Sequence, residues 1–236
     1  MQKNITIFTD GASKGNPGKG GFGAVIVHDD TVTELGAHKA RTTNNEMELQ
    51  AVVEALKVVA HTGESVALYT DSKYVVEGAK GWIFGWMKND WKTKAKTDVL
   101  NKELWQELAS LLRKVTVEWH KVPGHVGIKG NERADAIASG FAEKGTFPLY
   151  TGPQSGYGYD VSDTTFDATK AQDRSDARKR QGQKAFSYIS MVGDVIETHT
   201  TWAACEKRVK GIKAARFKKS LSAANEKEII KEFGGR

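Results

Sequence analysis

At 236 residues, 39% hydrophobic and 27% charged, the chain has the make-up of a soluble protein with one full core of about 150 residues and a small second domain. No apolar run approaches the roughly 20 residues of a membrane span and no signal-peptide pattern opens the chain; one cysteine, Cys205, excludes a disulfide framework or cysteine-built zinc site and fits a reducing, cytoplasmic setting. The net charge of +6 is uneven, with 19 Lys/Arg against 18 Asp/Glu in residues 1–145 and 10 against 6 in residues 186–236, a balance compatible with nucleic acid without requiring it.

Residues 3–10 alternate as a half-buried strand does and end at Asp10. Gly11, Gly15, Gly18, Gly20, Gly21 and Gly23, with Asn16-Pro17, then read as a flexible turn. Residues 22–27 and 32–39 predict two further strands of an antiparallel meander, joined at His28-Asp29-Asp30. Residues 44–60 predict a helix, capped by Asn44 or Asn45, with Met47, Ala51, Val52, Ala55, Leu56 and Val59 on its apolar face. Residues 65–71 predict a fourth strand, parallel to the first because a helix intervenes. Helices over 72–79 and 100–112, a strand over 115–120, a glycine- and histidine-bearing loop over 122–130 and a helix over 131–144 follow. The order implies an α/β fold over residues 1–145, a mixed five-stranded sheet flanked by helices.

Residues 146–184 lack a sustained apolar period and read as a flexible linker. Residues 185–236 are periodic again. Strands over 186–192, 195–199 and 214–218 and helices over 201–210 and 222–233 predict a small α+β domain, near the lower size limit for independent stability.

Asp10 and Asp71 fall at the carboxyl ends of adjacent parallel strands, where such sheets place their sites. Glu48 lies in the first turns of the first long helix, and Asp135 in those of the last. Taken singly, strand-end aspartates are often turn formers, and first-turn acids answer the helix dipole. Together, four converging carboxylates cannot all stay ionised without cations. Two divalent ions about 4 Å apart would neutralise them and support phosphodiester hydrolysis. Mg²⁺ is the natural occupant of an all-oxygen site, with Mn²⁺ as substitute. His125, in Pro123-Gly124-His125-Val126-Gly127, is either an idle loop histidine or a proton relay beside a phosphate. Asn44 and Asn45 are caps, or partners of a base edge or a ribose hydroxyl. The stretch 81–96 carries Trp82, Trp86 and Trp91 with Lys88, Lys92, Lys94 and Lys96. It reads as aromatic packing on the core, as a solvated lysine face, or as a basic handle on a duplex backbone.

With these residues assembled, residues 1 to about 144 closely resemble a type 1 ribonuclease H of the bacterial kind. The resemblance lies in Phe8-Thr9-Asp10-Gly11-Ala12-Ser13, Arg41-Thr42-Thr43-Asn44-Asn45-Glu46-Met47-Glu48-Leu49 and Tyr69-Thr70-Asp71-Ser72. It continues in the tryptophan–lysine stretch and in Gly124-His125-Val126-Gly127-Ile128-Lys129-Gly130-Asn131-Glu132-Arg133-Ala134-Asp135. It implies endonucleolytic cleavage of the RNA strand of RNA–DNA hybrids, leaving 5′-phosphate and 3′-hydroxyl ends, by a monomer with no obligate protein partner. Asp10, Glu48, Asp71 and Asp135 would be the metal ligands and His125 the accessory base. Asn16, Asn44 and Asn45 would contact the hybrid, and Thr43 would belong to a pocket for a DNA-strand phosphate. Lys73 stands where bacterial relatives often carry glutamine.

Residues 185–233 resemble the small hybrid-binding domain of eukaryotic ribonucleases H, here C-terminal instead of N-terminal. The matching pieces are Thr201-Trp202-Ala203-Ala204-Cys205, Val209-Lys210-Gly211 and Ala214-Ala215-Arg216-Phe217-Lys218-Lys219. The resemblance implies that Trp202 and Phe217 stack on deoxyriboses while Lys218 and Lys219 hold phosphate. Ser220 stands in place of an expected aromatic, and Cys205 reads as a buried small hydrophobe. Such a module on a flexible linker would raise processivity, and deleting residues 146–236 would weaken hybrid binding and leave the chemistry intact. Two rival readings are a catalytically silent hybrid-binding protein and a DNA-directed nuclease or integrase on the same fold.

Overall fold

Strands β1 (Ile5–Gly15) and β2 (Gly18–His28) form a long antiparallel hairpin that turns at Asn16-Pro17. The computed structural model describes residues 5–124, 127–165 and 184–234. β3 (Thr31–Thr42) pairs with β2, and α1 (Asn44–Val59) carries the chain over to β4 (Val66–Thr70), parallel to β1. α2 (Lys73–Glu77) runs through a π-helical turn at Gly78–Trp82 into α3 (Ile83–Lys88). α4 (Lys102–Leu111) precedes β5 (Val117–Lys121), and α5 (Lys129–Lys144) follows it. The period of two along β1 sorts its side chains. Ile5 and Ile7 join Leu56, Leu68 and Trp105 on the α1–α4 face, whereas Phe8 joins Val25, Ile137 and Phe141 on the α5 face. Each such buried side chain contributes about 1.5–3 kcal/mol.

The glycine run expected to be a flexible turn turns only at Asn16-Pro17 and is otherwise strand, and at Gly11, Gly21 and Gly23 the absence of a side chain admits closely packed helices. A Cβ at Gly11 would fall on the backbone of Met47 and Glu48 in α1. One at Gly23 would fall on the main chain of Ala134 and Ala138 in α5, and one at Gly21 on Ala138 and Ala142. Gly11 follows Asp10, and Gly23 is its cross-strand partner. α1 therefore approaches β1 main chain to main chain next to Asp10, and α5 approaches β2 in the same way at the residue across from it. Gly23→Ala should cost about 1–3 kcal/mol by pushing α5 outward. Thermal denaturation checks this, and an unchanged midpoint would show that α5 retreats freely.

The expected five-stranded sheet has six strands, in the order β5-β4-β1-β2-β3-β6. The sixth, β6 (Thr151–Pro153), pairs antiparallel with β3. Three residues are too few to show a period, so the strand is hidden in what reads as linker. Its neighbours are equally attached: Phe147 packs on Phe141, and Tyr157 and Val161 are buried. Tyr150 and Tyr157 are held by Glu34, whose side chain is 0% exposed and accepts four hydrogen bonds. The donors are Arg133 Nε at 2.6 Å, Arg133 Nη2 at 2.9 Å, Tyr157 OH at 2.5 Å and Tyr150 N at 2.9 Å. Burial opposes the Glu34 charge, but these donors outweigh it and keep the carboxyl below its ordinary range. The chain divides into two compact units, Met1–Asp167 and Ala168–Arg236. Of the expected linker, residues 166–183 lie outside the described residues.

The second unit is a three-stranded antiparallel sheet, ordered β8 (Val195–His199), β7 (Ser187–Val192), β9 (Arg216–Ser220). Helices α6 (Trp202–Val209) and α7 (Ala223–Gly234) accompany it, with Ile189, Ile229 and Phe233 as its small core. β9 starts two residues later than expected. Ser220 is 0% exposed, its Oγ 2.6 Å from Ser187 Oγ, so it closes a buried hydroxyl pair where an aromatic was expected. Cys205 is buried as expected, and burial pushes its thiol up.

Candidate active site

Parallel pairing of Thr9 with Thr70 brings the next residues, Asp10 and Asp71, side by side. Close approach at Gly11 adds Glu48 from α1, and one carboxylate oxygen from each of the three lies within 4.8 Å of the others. Asp135, in the second turn of α5, lines the same cleft of about 280 Å³ with Ser13, Lys14, Asn44 and Ser139. All four acids singled out in the sequence therefore meet.

Their orientation is fixed by neighbours. Asn44 Nδ2 donates to Glu48 Oε1 at 2.8 Å, and Ser72 Oγ donates to Glu48 Oε2. Asp10 Oδ1 accepts from Gly11 N at 2.8 Å, and Ser139 Oγ donates to Asp135 Oδ1 at 3.4 Å. Ser72 also caps α2, accepting from Val75 N at 3.2 Å. The sequence reading missed Ser72 and Ser139; the available signals were a serine adjoining Asp71 and one four residues after Asp135 on a helix. The expected cap of α1 is corrected as well. Thr43 takes that position, accepting from Glu46 N at 3.3 Å, which leaves Asn44 to hold Glu48.

Burial, with Asp71 and Asp135 beside it, pushes the Asp10 carboxyl up to about 9. Burial and Asp71 also raise Glu48 to about 6, against the hydrogen bonds from Ser72 and Asn44. Acids so placed resist ionisation unless a cation compensates them. An all-oxygen, carboxylate-rich cleft fits a hard divalent metal.

The tryptophan–lysine stretch divides between its readings. Trp86 packs edge-on against buried Trp105 at 5.4 Å, and Trp91 packs on the core, which is the aromatic-packing reading. Trp82 touches Trp86 and Tyr74 and stays 41% exposed. Lys92 pairs with Asp98 at 2.8 Å, whereas Lys88, Lys94 and Lys96 are exposed. Asn16 and Asn45 are exposed, and Lys73 pairs with Glu77 at 3.5 Å. His125 lies outside the described residues. In the second unit, Trp202 (39% exposed) and Phe217 (51%) sit 5.2 Å apart, with Tyr188 5.7 Å from Trp202. Lys218 Nζ donates to both oxygens of Glu232, at 2.6 and 2.7 Å. Lys219 is half-buried.

Residues 2–143, with all four acids, match the family model for RNase H. The chain belongs to the ribonuclease H family. Among similar proteins, the ribonuclease H of Thermosynechococcus vestitus is 55% identical over 135 residues, covering 56% of this chain and 84% of its own length. That of Chlorobium luteolum is 50% identical over 139 residues, 58% of this chain and 94% of its own. Among solved structures, LC9-RNase H1, a type 1 RNase H with the type 2 active-site motif, covers 72% of this chain and 91% of itself, with a TM-score of 0.59 and 27% identity. The family match stops at residue 143, short of the second unit.

Proposed function

We propose that the chain hydrolyses the RNA strand of RNA–DNA hybrids internally, leaving 5′-phosphate and 3′-hydroxyl ends. The observation that carries this reading is the Asp10–Glu48–Asp71 cluster with Asp135 in the same cleft, inside a ribonuclease H fold. Two divalent ions, Mg²⁺ or in its place Mn²⁺, held by these four carboxylates, would supply the Lewis-acid activation of the phosphate. The chain's own residues do the rest. Asn44 and Ser72 hold Glu48 in one rotamer, and Ser139 steadies Asp135. Exposed Asn16 and Asn45 are free to meet the shallow minor groove, where the ribose 2′-hydroxyl distinguishes RNA. Thr43 belongs, in this reading, to a phosphate pocket for the DNA strand. Trp82 with Lys88, Lys94 and Lys96 offers a basic handle for the duplex backbone. His125 serves as the proton carrier.

The second unit extends this reading. Its exposed Trp202 and Phe217 suit stacking on sugars, and Lys218 and Lys219 suit phosphate, so it would hold the hybrid and raise processivity. No helix among the described residues is long and apolar enough to cross a membrane. We read the enzyme as a monomer working in the cytoplasm without an obligate protein partner.

Cleavage of end-labelled RNA–DNA, RNA–RNA and DNA–DNA duplexes with Mg²⁺ tests the proposal. Internal cuts confined to the RNA of the hybrid are expected. Cuts in DNA would favour the DNA-nuclease reading, and hybrid binding with no cuts the silent binder. For the second unit the chain should be truncated after residue 165, because residues 147–161 belong to the first unit's packing. That truncation should weaken hybrid binding and shorten runs of cuts at unchanged kcat. Equal run lengths in both forms would remove the second unit from the function.

A further inference from the structure

The tip of the β1–β2 hairpin carries two lysines that nothing in the fold requires. The period of two along β1 puts Asp10, Ala12 and Lys14 on one face, and the antiparallel register sets Gly23, Gly21 and Lys19 opposite them. Lys14 and Lys19 are therefore direct cross-strand neighbours. Like charges directly opposite destabilise a ribbon. No carboxylate pairs with either lysine among the described residues, and both are exposed. Lys14 nevertheless lines the cleft of Asp10, Glu48, Asp71 and Asp135, in a wall otherwise made of acids and small uncharged residues. A cation that borders four carboxylates and pairs with none of them is left free for an anion arriving from outside. Four residues of strand place Lys14 about 13 Å from Asp10. A lysine at that distance, with its flexible four-carbon stem, reaches phosphates adjoining the one held at the acids.

We propose that Lys14 and Lys19 form a phosphate clamp on the strand being cut, gripping the backbone beside the scissile position. The clamp rests on the reading of the chain as a hybrid nuclease. It explains the repulsive pair: the two ammonium groups are brought together by the hairpin in advance of the polyanion that separates their charges. Substrate would be drawn to the acid-lined cleft by the flanking phosphates, while the cut phosphate is left to the metal-bearing acids. A merely solubilising pair would need no place in the cleft wall.

The test uses the full-length chain with Lys14→Ala, Lys19→Ala and the double substitution, on an RNA–DNA hybrid in Mg²⁺ across a salt series. Each single change should raise KM on the order of 5-fold with kcat within about 2-fold, and the slope of log(kcat/KM) against log salt should fall by about one per lysine. A hybrid with neutral methylphosphonates flanking the cut site should reproduce the loss in wild type and add little to the double variant. An unchanged KM and salt slope in the double variant would overturn the clamp, and so would a fall in kcat alone. Thermal midpoints that hold or rise exclude a folding defect, since the repulsion is relieved. Wild-type cleavage in the same series reports on the nuclease reading separately. If wild type does not cut the hybrid, hybrid Kd across the salt series decides: a lowered slope in the variants supports the clamp and an unchanged one overturns it.

Discussion

Asp10→Asn should abolish cleavage and, in the same protein, raise the stability of the metal-free form at pH 8. The first effect follows from removing a carboxylate at the centre of the acid cluster proposed to hold the metal, and a loss of about 10³-fold or more in kcat is expected. The second follows from electrostatics. The Asp10 carboxyl is raised from its ordinary 3.8 to about 9 in the folded chain, by burial and by Asp71 and Asp135. A raised folded value means that the folded state holds the proton more tightly than the unfolded one. Its stabilisation is therefore fully present below about pH 4 and is lost as pH rises toward 9. Glu48 adds the same trend between its ordinary value and about 6. Metal-free wild type should thus melt progressively lower from pH 5 to pH 8. Mg²⁺ should reverse the trend, because it competes with the proton for the same oxygens. Asparagine carries no charge at any of these pH values, so the substituted protein should lose most of the slope. At pH 8 it should gain on the order of 2 kcal/mol, or roughly 5 °C in melting midpoint. Calorimetry with and without EDTA measures this, and a flat wild-type profile in EDTA would count against the electrostatic account.

Arg133→Ala should be the most damaging single change outside the acid cluster. It removes two of the four donors to Glu34, which has no exposed side-chain surface, and leaves a buried carboxylate with Tyr157 and Tyr150 only. Breaking one side of a buried pair costs about 3–5 kcal/mol, near 10 °C here, whereas replacing both sides by apolar groups is often neutral. Glu34→Leu with Arg133→Met should therefore recover most of what Arg133→Ala loses. Because the Glu34 carboxyl is held low in the folded chain, its contribution is present above its ordinary value of 4.5 and fades as the medium is acidified below it. Arg133→Ala should flatten that acid limb. Arg133 also stands two residues before Asp135 on α5, with its guanidinium 5.0 Å from the Phe147 ring and 5.1 Å from that of Tyr159. The substitution should accordingly raise the Mg²⁺ concentration needed for half-maximal activity. Denaturation midpoints of the three variants check the first effect, and metal titration of activity checks the second.

The four acids were legible in the sequence because each sits at a place with a local signature, a strand end or a first helical turn, and such places converge in this topology. The strands of the second unit were legible for a similar reason, since Ser187–Val192 and Val195–His199 carry a clear period around Gly193-Asp194. What could not be read was set by contacts between distant parts of the chain. Gly11, Gly21 and Gly23 look like parts of a turn by composition, but they are strand residues against which α1 and α5 pack main chain to main chain. Glu34 shows no partner nearby in sequence; its donors come 99, 116 and 123 residues later. Thr43 outcompeted Asn44 as the cap of α1 because Asn44 was drawn to Glu48, a contact that exists only once the helix has formed.

The contacts at Gly11 and Gly23 also bear on how the enzyme should behave when warmed. Where acids are spaced by side chains, a rotamer hop lets them drift apart one by one. Here the spacers are main chain against main chain, next to Asp10 and at the residue across from it. With Asn44, Ser72 and Ser139 steadying the side chains of Glu48 and Asp135, loosening of individual core residues leaves the carboxylates close; lifting α1 or α5 as a body separates them. Affinity for metal should therefore hold nearly level with temperature and then vanish in a narrow interval, together with the helix that leaves first.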